Sequence, residues 1–200
     1  MPRRRAVDPH SVFLNVPFDA SYQRVFVALI AALVSLGRVP RCVLEVPDSG
    51  QGRMPRIIEL ISKCRVSVHD LSRVGVPVRF NMPFELGIAY MLCHRVGNHD
   101  FIVLEAKEHR FDKTLSDLKS IDPKIHHRSP MLTISAIYDA LGRPLPLGNP
   151  SVKVPEKMFR KLWAQINHIK GRRKTIFHRR PFNELILRAI DLAKQENVIH

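Results

Sequence analysis

The order of elements along the chain predicts an α/β fold. The expected architecture is a flavodoxin-like parallel sheet of about five strands with helices on both faces, plus a C-terminal helical extension. Two observations predict it. Short apolar, β-branched runs without polar alternation read as strands buried on both faces. They alternate with longer stretches of helical periodicity, the pattern that brings successive strands into parallel register through right-handed crossovers. The length of 200 residues, 45% of them hydrophobic and 25% charged, suits one domain with a core of its own and a modest appendage.

Ser11 to Asn15 is the first strand, broken by Val16-Pro17-Phe18-Asp19. Ser21 or Asp19 is placed to cap a helix running to about Leu36, with Gly37 where a C′ glycine belongs. Val39 to Glu45 reads as the second strand, Asp48 to Gly52 as a turn, and Met54 to Lys63 as a helix. Arg65 to His69 is the third strand, and a loop carrying Asp70-Leu71-Ser72 continues to Asn81. Met82 to about His94 follows as a helix, with Asn81 as its N-cap and Pro83 in the first turn, where a missing N–H costs little. Phe101 to Glu105 and Lys124 to His127 complete the strands. Thr114 to Ser120 and Pro130 to Leu141 read as helices.

These spans divide the chain into a basic N-terminal tail (1–10), a nucleotide-binding domain (11–142), a Pro-rich linker (143–155) and a basic helical extension (156–200). The linker assignment rests on Pro144, Pro146, Pro150 and Pro155 with Gly142 and Gly148. The extension is expected to form helices over about Glu156–Lys170 and Phe182–Gln195. Their apolar stripes are Phe159, Leu162, Trp163 and Ile166 on one, and Leu185, Leu187, Ala189 and Ile190 on the other. Such stripes pack on the main domain or on a second copy.

The formal net charge is +14, and 12 Lys+Arg against 4 Asp+Glu fall between Ser151 and His200. That balance fits an anionic partner, whether nucleotide, nucleic acid or acidic protein, and equally a solvated basic surface. Cys42, Cys64 and Cys93 show no CxxC spacing and read as free thiols, the first two in the core. Ten histidines show no metal-ligand spacing, so His99, His109, His126 and His127 read as surface residues and no metal is expected. No secretory leader is apparent, and the most apolar stretch, Val25 to Leu36, is too short to span a bilayer. A cytoplasmic, reduced protein that does not use a membrane is expected.

In open parallel sheets, ligands bind beyond the carboxyl ends of the strands, where strand order reverses. The loops after strands one and three flank that crevice. They bring Asn15, Phe18, Asp19 and Tyr22 from the first, and His69, Asp70, Ser72 and Asn81 from the second. Glu85 follows Asn81 by four residues and so shares its helix face. Flanked by Phe84 and Leu86, Glu85 is expected to have a raised pKa, and a nearby Asp70 would raise it further. Carboxylates beside an aromatic in a cleft are the groups that break a glycosidic bond. Singly, each residue has a plainer role: Asn81 as a cap, Glu85 as a helix-dipole partner, Asp70 as an Asx turn, Tyr22 as a core aromatic. Their convergence on one crevice points to a site. Helix starts near Ser21 or Asn81, or Arg53 or Arg73, are candidates to meet a phosphate.

Three segments, Val12-Phe13-Leu14-Asn15-Val16-Pro17-Phe18-Asp19, His69-Asp70-Leu71-Ser72-Arg73 and Arg79-Phe80-Asn81-Met82-Pro83-Phe84-Glu85-Leu86-Gly87, resemble bacterial Toll/interleukin-1 receptor (TIR)-like proteins. That family is similar to the nucleoside 2-deoxyribosyltransferases. The resemblance covers about Val12 to Phe111. It implies Glu85 as the catalytic carboxylate at the anomeric carbon of a ribose, Asp70 and Asn81 orienting sugar or base, and Phe18 and Asp19 lining the pocket. It implies NAD as substrate rather than cofactor, cleaved at the nicotinamide bond, often as a toxic step in antiviral defence, by a homo-oligomer. The alternatives are a nucleoside or nucleotide N-glycosidase or 2-deoxyribosyltransferase, in which Asp70 or His69 supplies a proton, and a non-catalytic nucleotide-binding signalling module. A nucleic-acid-binding role rests on Arg172-Arg173-Lys174 and Arg179-Arg180 with Phe177 between them.

Overall fold

The computed structural model of the chain describes residues 6–45, 52–73, 80–142 and 151–199. Its sheet has five parallel strands in the order β2-β1-β3-β4-β5. They are β1 (Asp8–Asn15), β2 (Val39–Arg41), β3 (Cys64–Asp70), β4 (Asp100–Glu105) and β5 (Lys124–Ile125). This is the expected flavodoxin-like order, with its switch point between β1 and β3. The strand bounds differ from expectation by more than one residue at three ends; β5 stops at Ile125, so His126 and His127 lie outside the strand expected to include them. β1 begins at Asp8, inside the span assigned to the tail. β2 stops at Arg41, because Val43–Glu45 winds into a 3-10 turn in which Glu45 accepts from the Cys42 N–H and the Arg41 guanidinium.

β1 alternates its side chains between two layers. Val12 and Leu14 join the apolar cluster on one face of the sheet, and Phe13 joins Ile57, Leu60 and Ile61 on the other. The first face carries α1 (Gln23–Ser35) and α5 (Pro130–Leu141). The second carries α2 (Arg53–Lys63) and α3 (Asn81–Val96), with the short α4 (Arg110–Thr114) beside them. A 3-10 turn, Ala20–Tyr22, precedes α1, so neither Asp19 nor Ser21 caps a long helix with its side chain. Gly37 ends α1 at φ 68°, a left-handed position that favours glycine. Helix is found at Arg110–Thr114 rather than Thr114–Ser120, where Ser116–Leu118 forms only a 3-10 turn.

Every residue of α1 from Val25 to Ser35 is buried. A helix apolar all round needs cover all round. The C-terminal segment supplies it: α6 (Lys153–Ala164), α7 (Ile166–Lys170) and α8 (Arg179–Gln195), with α6 and α8 packed on α1. Pro155 lies in the first turn of α6, not in a linker; residues 143–150 of that assignment lie outside the described residues. Met158, Phe159 and Leu162 of α6, and Phe182, Leu185 and Ala189 of α8, share one cluster with α1 and the sheet. Leu187, expected in that stripe, is instead exposed. Among the described residues no helix is long and apolar enough to cross a membrane.

Because α8 closes a core that begins on the sheet, Phe182→Ala should cost about 3–5 kcal/mol. Urea denaturation followed by far-ultraviolet circular dichroism should show one transition shifted to lower urea. A separate early transition for the C-terminal helices would contradict the shared core.

Candidate functional site

Among the described residues, two pockets at the C-terminal edge of the sheet flank the segment that leaves β1, one on each side. Val16 and Phe18 line the first, Pro17 and Asp19 the second. Alternation along an extended chain sends neighbouring residues to opposite sides.

The first pocket, about 60 Å³, is built around Glu85. Asn15 ends β1 and donates through Nδ2 to the Met82 carbonyl at 2.9 Å, which pins the first turn of α3 to the sheet. Pro83 sits in that turn, where a missing N–H leaves no bond unmade. The N-cap is Phe80, not Asn81, and no side chain caps it. Asn81, freed from capping, is exposed and lines the pocket with Glu85, one turn further along the same face. Arg53, the first residue of α2, faces them. Burial pushes the Glu85 carboxyl up from 4.5 to about 7, and the Arg53 charge opposes that rise. The expected cause, an apolar environment, is present. Its source is Leu14, Val16, Phe18, Val43 and Met82 rather than Phe84, whose ring is 58% exposed.

Asp70 is not in this pocket and does not act on Glu85. It is fully buried; two donors bond its carboxylate and His126 lies against it. The Ser72 N–H reaches Oδ1 at 2.8 Å, and the Tyr22 hydroxyl reaches Oδ2 at 2.5 Å. His126 Nε2 is 3.0 Å from Oδ2. The Arg128 N–H donates to His126 Nδ1 at 3.1 Å, so the ring proton lies on Nε2 and is directed to Ser72 Oγ, 2.9 Å away. Burial, and the Asp70 charge beside it, hold the Tyr22 phenol well above its usual 10. Tyr22 and Ser72, expected beside Glu85, belong to this knot. Asp19 pairs with Arg73.

His69 and His99 were expected as a site residue and a surface residue; both are interior groups. Asn15 Nδ2 lies 3.0 Å from His69 Nδ1, which therefore accepts and leaves the proton on Nε2. That proton goes to Ser67 Oγ at 2.8 Å; Ser67 donates to His99 Nε2 at 2.8 Å; His99 Nδ1 donates to the Cys64 carbonyl at 2.9 Å. A single directed chain of hydrogen bonds thus runs the length of β3. Burial and the neighbouring His99 push His69 down to about 3, so the ring stays neutral.

Of the residues the sequence nominated, the fold brings Asn15, Phe18, Asn81 and Glu85 together and places Asp19, Tyr22, Asp70 and Ser72 elsewhere on the same edge. His126, read as a surface residue, is fully buried. Its one sequence signal was its place near the end of the expected strand Lys124 to His127, on the edge where sites form. Phe177, which lies between the basic clusters on which a nucleic-acid-binding role rested, is buried against Phe18 and Phe26 with ring centroids 5.4 and 5.2 Å away. Among the described residues no group of His, Cys, Asp and Glu is arranged to hold a metal ion. Family models, curated proteins and solved structures were all compared with the chain, and none matches it.

Two outcomes follow from these geometries. Asp70→Asn turns an amide NH₂ toward a cluster of donors and should destabilise the fold by about 2–3 kcal/mol, read by chemical denaturation. Glu85 has a native pKa above its unfolded value. The native state therefore holds a proton that the unfolded chain releases between pH 4.5 and about 7, and stability falls as pH rises through that window. Relative to wild type, Glu85→Gln should be neutral near pH 4 and more stable by about 2–3 kcal/mol at pH 8. Parallel stability–pH curves would refute the burial of this carboxyl.

Proposed function

We propose that the protein is an NAD glycohydrolase that cleaves the nicotinamide–ribose bond at Glu85, working in the cytoplasm as part of a bacterial defence or stress response. The observation that carries this reading is a buried carboxylate with no proton donor beside it among the described residues. Breaking an N-glycosidic bond to a neutral base requires an acid to protonate the leaving base. The two candidates for that task were Asp70 and His69. Asp70 is engaged outside the pocket by two donors, with His126 against it, and His69 has both ring nitrogens bonded and is held neutral. A substrate whose leaving group is already a cation needs no acid, and the pyridinium of NAD is such a group. Glu85 then stabilises the ribosyl cation as nicotinamide departs, and water completes the hydrolysis.

Asn81, on the same helix face, is placed to hold a ribose hydroxyl, and Phe18 to cover the sugar or ring. The resemblance of the segments around Asn15, Asp70 and Glu85 to TIR-like proteins supports the same bond as target. It also supports assembly into a homo-oligomer as the active state.

The test is incubation of the purified chain with NAD over a range of protein concentrations, with free nicotinamide quantified by chromatography. Glu85→Gln should lower kcat by about a thousandfold or more with little change in KM, because the lost interaction belongs to the transition state. Wild-type kcat/KM should rise with pH through about 7 and then level, since the ionised carboxyl is the active form. The limb for kcat should lie at lower pH, because the bound pyridinium favours the carboxylate. Release of base from nucleosides but not from NAD would replace this reading with the N-glycosidase or transferase one.

A further inference from the structure

The second pocket on the sheet edge is larger, about 590 Å³, and none of its chemistry is used by Glu85. It lies between the segments that follow β1, β3, β4 and β5, and four cations line it: Arg73, Lys107, Arg110 and Arg128. We infer that this cleft is a second binding site, which takes the phosphoryl groups of a nucleotide-sized ligand.

The cations are built into place. Arg110 is fixed by the buried Glu105 carboxylate and by the Leu71 carbonyl, and Arg73 by Asp19. Lys107 and Arg128 line the cleft with no acidic partner among the described residues. Arg128 follows His127, and both have left-handed backbones, at φ 57° and 47°. Such conformations are uncommon away from glycine and persist where surrounding contacts impose them. Here the Arg128 N–H is held by His126, and the His126 ring by Ser72 Oγ beside Asp70.

Ser72 provides an independent observation. It lines the cleft, is 3% exposed, and its Oγ lies 2.9 Å from His126 Nε2. Because that nitrogen is the donor, Ser72 Oγ accepts there. Its own proton has no acceptor among the described residues, and a buried hydroxyl proton without an acceptor is costly. The cleft therefore offers an acceptor-seeking hydroxyl together with two cations that have no acidic partner among the described residues, a set that matches phosphoryl oxygens. The volume falls in the range of small-ligand sites and suits a mononucleotide. The inference holds whether or not Glu85 cleaves a glycosidic bond.

The test is isothermal titration of the full chain with ADP, adenosine and inorganic pyrophosphate. ADP and pyrophosphate should bind and adenosine should not. Lys107→Ala and Arg128→Ala, at exposed side chains, should each weaken ADP by about tenfold with unchanged melting temperature. Ser72→Ala should weaken ADP as well. Glu85→Gln should leave ADP affinity within about twofold, so loss of NAD cleavage and loss of this site register separately. Equal binding of ADP and adenosine, or ADP binding indifferent to Lys107 and Arg128, would overturn the inference. So would a single-stranded oligonucleotide binding through these residues when ADP does not.

Discussion

A carboxylate removed from water must be surrounded by polar groups, and those around Asp70 come from three different connections of the sheet. Tyr22 arrives from the segment after β1, Ser72 from the one after β3, and His126 from the one after β5. In the interior a charge–dipole bond is strong and its loss is costly, so these segments are constrained together rather than one by one. The constraint extends outward. His126 fixes the left-handed turn that carries Arg128, and its own N–H is held by the Glu105 carbonyl. Glu105 in turn holds Arg110 and the backbone that follows β4. The C-terminal edge of the sheet is thus one network whose centre is a residue that looked, in the sequence, like a catalytic partner.

That network divides the edge. On the α3 side lies a single carboxyl with a raised pKa, enclosed by apolar groups and one arginine. On the α1 side lies a broad cleft with an excess of positive charge. The segment leaving β1 forms the wall between them and sends alternate residues into each. A dry, proton-binding carboxylate and wet cations have opposing requirements for solvent, and the wall lets one edge hold both.

The C-terminal helices serve the same edge from behind. α1 carries no polar face, so a sheet on one side of it is not enough; α6 and α8 complete its burial. Phe177, between α7 and α8, reaches Phe18 and so touches the wall itself. The basic residues of that connection, Arg172, Arg173 and Lys174, stay exposed while its aromatic turns inward, which separates charge from stacking.

The α/β class, the strand order and the placement of Glu85 and Asn81 on one face of α3 were legible in the sequence. Each depends on local periodicity or on topological rules that hold for any parallel sheet. The apolar stretch of α1 likewise announced a buried helix. The tertiary structure alone decided that Asp70 turns away from Glu85, that His99 and His126 are interior, and that Phe177 belongs to the core. It also decided that Lys107, Arg110 and Arg128 meet Arg73 in one cleft. These outcomes hang on which loops the sheet order makes neighbours and on backbone conformations such as the left-handed pair at His127 and Arg128. Neither leaves a periodic trace. A polar residue at a strand end reads the same in sequence whether its side chain faces a ligand or closes a buried network, because the difference lies wholly in its partners.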